Sequence, residues 1–502
     1  MTTKVLHLLE GVSSGGASRN TLAMANYSAC LEMVQHRIVS LMPASDDGRI
    51  LAATYGIFIV DAPSESLLMK EIEDADIVQI SYWNCPRINS ILNLLLPPMR
   101  LSIWFRVLGA SPPQIITSIL LDLADVAIMT SPCSVTLDVC QDFLRNTRRS
   151  SIEVVYGPAD LDRVANTRSK QHDTFNVGYI GTVDFVKMHP NYVTMSSLVN
   201  IPNVRFVICG KGAIDDSTEQ RLRRQASELG KAHLFDFRGH IDDIRSVISE
   251  LDVFGYPLCE ETFATSEASL QEVMFAGVPP VVFPHGGVRN LVLDRETGLV
   301  VHNEQEYAQA IEYLYNHPEE RRRLGENARA YARRFFGAKN AAAQMNRIYT
   351  SMMGFTKRQR SPILAAAAHQ QNLRPGKLSV SSASPSTSGA HLFAISLGSY
   401  GAPFLTSLYS ENESETLAAD EEMAGWAGSY LMTSMGYGSV FHYRSAYPDD
   451  PYLHLWCGLM LHRLHKYSMA VNEFRSAIAL GCCPQRVHRY LAMAAADAGN
   501  EE

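Results

Sequence analysis

The sequence predicts an α/β protein built as two parallel-sheet domains that face each other across a cleft, followed by a smaller all-helical region. Short β-rich apolar runs alternate with amphipathic stretches over the first 300 residues, which is the pattern of βαβ units. The rhythm restarts after Asp173, where Thr174-Phe-Asn-Val-Gly-Tyr-Ile-Gly181 reads as a second first strand ending in a glycine turn. Beyond about residue 300 the strands stop and helical spacing takes over, and after a linker it resumes to the end of the sequence. A chain of 502 residues is long enough for roughly three domains of about 150 residues each, so the expectation is two Rossmann-like domains with a ligand cleft between them.

The opening residues carry the first strand, Val5–Leu9, whose apolar run is too short for a secretory segment. Runs at Arg37–Leu41, Ile77–Ile80, Leu101–Phe105 and Val126–Met129 complete a first domain over residues 1–165. Val177–Ile180, Val204–Cys209, Val253–Tyr256 and Pro280–Phe283 are the strands expected in a second, over 166–356. Closing helices run from Glu304 to about Met353, with Tyr307, Ile311, Leu314 and Tyr315 at helical spacing. Alanine and serine runs at 365–368 and 379–389 mark 357–392 as a flexible linker. Residues 393–502 are expected to be helical, and Gly458, Ala470, Phe474 and Ala477 stand at the offsets of a tetratricopeptide unit, with His454 and Cys482 where its Trp and Pro would be. Met423–Tyr447 reads as a degenerate preceding unit. Such arrays usually need about three repeats for stability, so this region is expected to dock on the rest of the chain or on another protein.

With 52 acidic and 44 basic side chains the formal charge is −8, which gives no general electrostatic case for nucleic acid. The nine cysteines are scattered without metal-ligand spacing, so a reducing, cytoplasmic setting and no metal site are expected. The nearest candidate for a membrane span, Ile115–Met129, is broken by Asp122 and Asp125, so a membrane would be met only peripherally. No Gly-x-Ser-x-Gly elbow points to a hydrolase.

Chemistry concentrates at strand ends. Gly11-Val-Ser-Ser-Gly-Gly-Ala-Ser-Arg19 follows the first strand and opens a helix, where free N–H groups attract phosphate. The second domain repeats the theme with Gly181-Thr-Val-Asp-Phe-Val-Lys187, whose lysine can reach into the cleft and neutralise a diphosphate. In the segment Tyr256–Pro280, Thr265 or Ser266 is placed to cap a helix running to Gly277, which leaves N–H groups beside Glu267. Glu272 on that helix can accept both hydroxyls of a ribose. Taken singly, each of these is equally a structural turn, a solvated lysine or an exposed helical glutamate.

Together these residues resemble retaining glycosyltransferases of family four, which have the GT-B fold. The resemblance covers roughly residues 1–355, is strongest over 175–300, and is closest to a bacterial, cyanobacterial subgroup with C-terminal tetratricopeptide repeats. Glu272-Val-Met-Phe-Ala-Gly-Val-Pro279 matches the family's Glu-Ala-Met-Ala-x-Gly-x-Pro, implying that Glu272 binds the nucleotide ribose. Gly181 and Lys187 match its Gly-Arg…Lys-Gly pattern, implying contacts to the donor diphosphate, which Gly15 and Gly16 would face from the first domain. His240 falls where relatives contact the base. Tyr156-Gly-Pro-Ala-Asp160 stands at the passage between domains.

The sequence departs from the family at three places. Ala264 stands where the first glutamate of a Glu-x7-Glu motif belongs, so either Glu261, through an insertion, or Glu267 takes its role at the donor sugar. Glu267 is favoured, although on one helix at about 100° per residue it would lie roughly 140° from Glu272. Thr182 replaces the family's phosphate-binding arginine, and Arg106 stands where relatives carry histidine and would compensate in part. The resemblance implies transfer with retention and no metal or other cofactor, from a nucleotide-sugar co-substrate, UDP-sugar being favoured over GDP-sugar. Lys187 and the N–H groups near Gly15-Gly16 and Thr265-Ser266 would stabilise the leaving diphosphate. The acceptor, a sugar, lipid or protein, is left open, because loops such as Ser81–Pro86 and Gly109–Pro113 would recognise it; the repeats would recruit a protein partner or position the acceptor. Two rival readings remain: a sugar-nucleotide epimerase of the same architecture and a non-catalytic scaffold.

Overall fold

The structure, a computed structural model, describes residues 2–499 apart from 14, 33, 147–150, 213–216, 371–387 and 483. Seven parallel strands form the first sheet: β1 (Thr3–Leu9), β2 (Val34–Ser40), β3 (Phe58–Asp61), β4 (Ile77–Tyr82), β5 (Leu101–Phe105), β6 (Val126–Met129) and β7 (Ser151–Val154). Their order is β3-β2-β1-β4-β5-β6-β7, so the winding reverses beside β1, and ligands bind at such a switch point. Every residue of β4, β5 and β6 is buried, as continuous apolar runs covered on both faces must be.

The second sheet holds β8 (Phe175–Ile180), β9 (Val204–Cys209), β10 (Phe235–Gly239), β11 (Val253–Tyr256), β12 (Pro280–Val282) and β13 (Leu299–Val300). It repeats the same topology, in the order β10-β9-β8-β11-β12-β13, all parallel. The two Rossmann-like sheets make the GT-B fold, with a further all-helical region after them.

The chain crosses between the sheets twice. It leaves the first after β7 and returns after Phe336 through the helix Ala338–Met353. That helix packs on the first domain's opening helix, Gly16–Leu31, where the Asn346 amide donates to the Ser28 carbonyl at 3.2 Å. The last of the expected closing helices of the second domain therefore contributes Ala342, Met345 and Tyr349 to a core shared with Val5, Met24 and Trp104 of the first.

The expected linker begins inside the first domain's packing. Arg358 Nε lies 2.7 Å from Asp125 Oδ1, and the buried Arg360 donates to the other oxygen of the same carboxylate. The helix Ile363–Gln370 adds Ile363 and Ala367 to the first sheet's core. The remainder of that expected linker, residues 371–387, lies outside the described residues.

From Ser388 onward the chain is helical. These helices share one hydrophobic core with the first sheet: Phe393, Phe404, Tyr443 and Trp456 form edge-to-face and tilted ring pairs and belong to the same buried cluster as Ile80, Tyr82 and Phe105. A buried polar network ties the junction. The Tyr443 hydroxyl donates to Asn84 Oδ1 at 2.9 Å, and the Asn84 amide donates to Ser396 Oγ at 2.9 Å. The Gln114 amide meanwhile spans the Asn84 backbone in both directions, at 2.9 Å each. The helices Pro451–Arg463 and Tyr467–Ala479 pair closely because Gly458 lies under Phe474, where a Cβ would come within 2.5 Å of the ring. Among the described residues no helix is long and apolar enough to cross a membrane, and none form a cluster of three or more His, Cys, Asp or Glu side chains suited to a metal ion.

Candidate active site

The carboxyl ends of the two sheets meet. The Leu108 N–H, just past β5, donates to the Phe263 carbonyl at 3.0 Å. The Ser266 hydroxyl donates to the carbonyl of Thr130, just past β6. Gln271 donates to the Gly157 carbonyl at 2.7 Å and accepts from the Ala159 N–H at 3.1 Å, which fixes the second domain's helix to the crossover. The loop after β11 thus forms one wall of the cleft and the loops after β5 and β6 the other.

The helix beginning this wall runs from Ala268 to Ala276 and its N-cap is Glu267, in extended conformation and without a side-chain cap bond. Neither Thr265 nor Ser266 caps it, contrary to the sequence expectation. Ser266 is drawn instead to Thr130, and the Thr265 carbonyl is covered by Gly287, where a Cβ would lie 2.1 Å away. Glu267, being outside the helix, is not bound by the helical angle that would separate it from Glu272, and both side chains are buried.

Lys187 is brought to Glu267 by backbone pairing. Its carbonyl accepts the Cys259 N–H at 2.7 Å, and Met188 bridges to Leu258. The ammonium lies 2.9 Å from Glu267 Oε2, an oxygen that also accepts the Tyr256 hydroxyl at 2.7 Å. The Phe263 ring centroid is 5.6 Å from the same ammonium. Glu261 is exposed, so of the two alternatives it is Glu267 that stands in the cleft. With side-chain exposures of 19% and 9%, Lys187 and Glu267 interact through a medium less screening than bulk water.

A second group surrounds Glu272, which is 4% exposed. Burial pushes its carboxyl up to about 7, against the pull of Arg163 and Arg19 and with the help of Asp160. Arg163 Nη1 lies 3.4 Å from Glu272 Oε1. The turn Leu161–Val164 that carries Arg163 is anchored to the first domain by hydrogen bonds from Tyr55 to Asp160 and from Tyr27 to Asp162. Burial and the neighbouring Arg163 lower the basicity of Arg19. Gly15 is the N-cap of the helix Gly16–Leu31, and nothing lies within 4 Å of where a Gly16 Cβ would be. Arg19, one turn on, carries that loop's charge to Glu272.

Sequence reasoning did not select Arg19, Arg163 or Asp160 as site residues. A signal for Arg19 existed: a cation near the start of a helix opposes the macrodipole, so its presence there asks for an anionic neighbour. The remaining selected residues are dispersed. Gly181 donates its N–H to the Cys209 carbonyl at 3.0 Å, and the Thr182 carbonyl accepts the Tyr179 hydroxyl at 2.8 Å. Arg106 is buried over the Trp104 ring at 4.1 Å, is lowered to about 10 by desolvation, and has no hydrogen-bond partner for Nη1. It does not join Lys187 and Glu267. His240 is 55% exposed and 3.4 Å from Asp242.

Residues 163–331 match the family model of glycosyl transferases group 1. The second domain is a glycosyl transferases group 1 domain. This group 1 domain contains Arg163, Lys187, Glu267 and Glu272. The chain is 31% identical over 152 residues to the D-inositol 3-phosphate glycosyltransferase of Corynebacterium glutamicum (strain R), covering 29% of this chain and 35% of that one. To EpsD of Bacillus subtilis (strain 168) it is 27% identical over 208 residues, 41% of this chain and 52% of that one. The chain thus spans about a third to a half of the length of these curated relatives. The structure of Anabaena HepE in complex with UDP and glucose aligns with a TM-score of 0.56 at 16% identity, over 70% of this chain and all of that one. At that identity the likeness is one of fold, and it extends beyond the group 1 domain to both sheets.

Proposed function

We propose that the protein is a retaining glycosyltransferase that moves a sugar from a nucleoside diphosphate donor, UDP-sugar rather than GDP-sugar, to an acceptor hydroxyl. The observation that carries this reading is the Lys187–Glu267 pair at the start of the helix that also holds the buried Glu272. In this reading residues 166–356 hold the donor and 1–165 face the acceptor. Glu272 accepts the ribose hydroxyls. Lys187 turns from Glu267 to the diphosphate, and Glu267 is released to receive hydroxyls of the donor sugar. Arg19 and Arg163 supply the positive charge that Thr182 does not.

As the bond from the anomeric carbon to the phosphate oxygen breaks, its electron pair passes to the diphosphate. Lys187 and the N–H groups at the two helix starts stabilise that charge. The acceptor hydroxyl attacks the same face and its proton goes to the departing phosphate oxygen, so no protein base and no metal is needed. The UDP preference is supported by the HepE structure, which holds UDP and glucose. The helix pair 451–479 is read as a tetratricopeptide-like unit of a bacterial, cyanobacterial-type chain, supported by Gly458 under Phe474, and the setting as cytoplasmic with at most peripheral membrane contact.

The loss of the strand-end arginine at Thr182 favours the rival scaffold reading. Thermal shifts with millimolar UDP, GDP, ADP and their hexose conjugates separate the two. At about 100 times its Kd a ligand stabilises by roughly 2.7 kcal/mol. A shift with UDP that Glu272→Ala abolishes is expected; no shift with any nucleotide refutes the transferase.

A further inference from the structure

The C-terminal helices reach the catalytic cleft itself. The segment from Tyr430 to Tyr437 lies between the two sheets. The Tyr430 ring lies 5.3 Å from that of Phe185 at a tilt of 55°, and its hydroxyl accepts from Arg221 Nη1 at 3.1 Å, both partners being in the second domain. Leu431 is buried with Val186 and Phe263. Tyr437 places its ring 5.1 Å from that of Phe263 at 32°, and Trp83, from the loop after β4, meets the same ring edge-on at 5.1 Å. Phe263 is the ring beside the Lys187 ammonium. Three parts of the chain, one from each sheet and one from the helices, therefore converge within a ring's width of the Lys187–Glu267 pair.

Val186, Phe263 and Leu431 are fully covered, whereas Trp83 and Tyr437 are half-buried. Tyr437 holds φ at 55°, a conformation that costs a non-glycine residue on the order of 1 kcal/mol and persists only where its surroundings impose it. Here they do: the Gln114 amide donates to the Tyr437 carbonyl, and the next residue, Gly438, is pressed against the Asn84 carbonyl, 1.9 Å from where a Cβ would be. Polar groups stand on the same rim. His442 Nδ1 accepts the Gly438 N–H at 3.2 Å, and its Nε2 is 3.9 Å from Glu10 Oε1 at the end of β1. Half-buried aromatic rings flanked by a carboxylate and an imidazole suit a pyranose ring, whose C–H face stacks on an aromatic face while its hydroxyls bond at the edge. A lipid tail would take water from the Glu10 carboxylate and the His442 imidazole and offer them no hydrogen bond in its place.

We propose that the C-terminal helices complete the acceptor site of this chain, with Tyr437 and Trp83 as its aromatic walls and Glu10 and His442 as its hydroxyl-binding rim, and that the acceptor is a saccharide. This rests on the glycosyltransferase reading. In it the helices determine acceptor specificity directly.

The test uses the full chain saturated with UDP and a set of free saccharides, namely methyl glucoside, N-acetylglucosamine and lactose, read by saturation-transfer NMR and titration. At least one is expected to bind, and Tyr437→Gly, which suits the positive φ while removing the ring, is expected to weaken it about tenfold or more, with UDP binding retained. Tyr437→Phe keeps the ring and is expected to restore saccharide binding to within about twofold. If Tyr437→Gly does not fold, Trp83→Leu reads the opposite wall. Saccharide affinity unchanged in Tyr437→Gly and Trp83→Leu, or no saccharide binding by a protein that binds UDP, overturns the proposal. Failure of the wild type to bind UDP instead overturns the glycosyltransferase reading on which it rests.

Discussion

Glu272→Gln separates a functional acid from a structural one, because the two roles predict opposite signs. The carboxyl is raised from its ordinary 4.5 to about 7, chiefly by burial. Below pH 4.5 it is protonated in the folded and unfolded chain alike. Between 4.5 and about 7 the unfolded chain releases the proton and the folded chain keeps it, so stability falls as the pH rises through that window. Above about 7 the folded state carries the full cost of a desolvated carboxylate, on the order of 3 kcal/mol at about 1.4 kcal/mol per pH unit. Glutamine mimics the protonated acid. The variant should therefore match the wild type to within about 1 kcal/mol near pH 5 and exceed it by about 3 kcal/mol at pH 8. For a domain of 150–250 residues that is roughly 6–12 °C in Tm, readable by calorimetry or thermal shift at the two pH values. Added UDP should narrow the gap at pH 8 by about 1.4 kcal/mol, because in the proposed role the carboxylate accepts both ribose hydroxyls and nucleotide affinity should fall about tenfold in the variant. A variant less stable than wild type at pH 8, or a stability difference that does not change with pH, would refute the reasoning.

Four further outcomes follow from the packing and the site. Lys187→Ala removes the ammonium from Glu267 and should lower kcat for UDP release about 10²–10³-fold in steady-state assays. Gly438→Val places branched carbons against the Asn84 carbonyl at φ 72°, so it should lower Tm and expose residues 426–447 to early hydrogen exchange. Gly425→Ala, at a helical position with open space around it, should leave the exchange unchanged and add about 0.5–1 kcal/mol of stability, read as a slightly higher Tm. Arg360→Ala removes one of two donors from each of the Leu123 and Met99 carbonyls and from Asp125 Oδ2, and leaves Arg358 as the remaining cation on that carboxylate; by chemical denaturation it should cost about 1–3 kcal/mol.

The central strands were legible in the sequence almost to the residue, as at Leu101–Phe105, Val126–Met129, Val204–Cys209 and Val253–Tyr256. They are covered on both faces, so they are written as unbroken apolar runs. The strands passed over are Phe58–Asp61, Ser151–Val154, Phe235–Gly239 and Leu299–Val300, all at sheet edges. An edge strand needs few apolar residues, and Phe58 itself is 61% exposed. In the site, Lys187, Glu267 and Glu272 were legible because glycine turns and a helix start fix them locally. Arg163 was not, since it meets Glu272 across 109 positions of chain and looks in sequence like any surface arginine. The docking of the C-terminal helices was hidden for the same reason: it runs through Asn84, Gln114, Ser396 and Tyr443, polar residues whose burial only the folded chain reveals.

The two passages between the sheets touch each other. At their meeting point the Ala338 N–H donates to the Ala159 carbonyl at 2.9 Å, and Gly337 packs on Leu161. Two chain segments fastened side by side act as a door hinge does: they leave the domains free to rotate about one line and resist both twist and separation. Arg163 lies two residues from Leu161 on this hinge, and Gln271 ties the helix of Glu272 to the same crossover. That pair therefore keeps its separation as the cleft opens and serves as a fixed reference, while a spectroscopic ruler of domain closure belongs farther from the axis, where displacement is greatest.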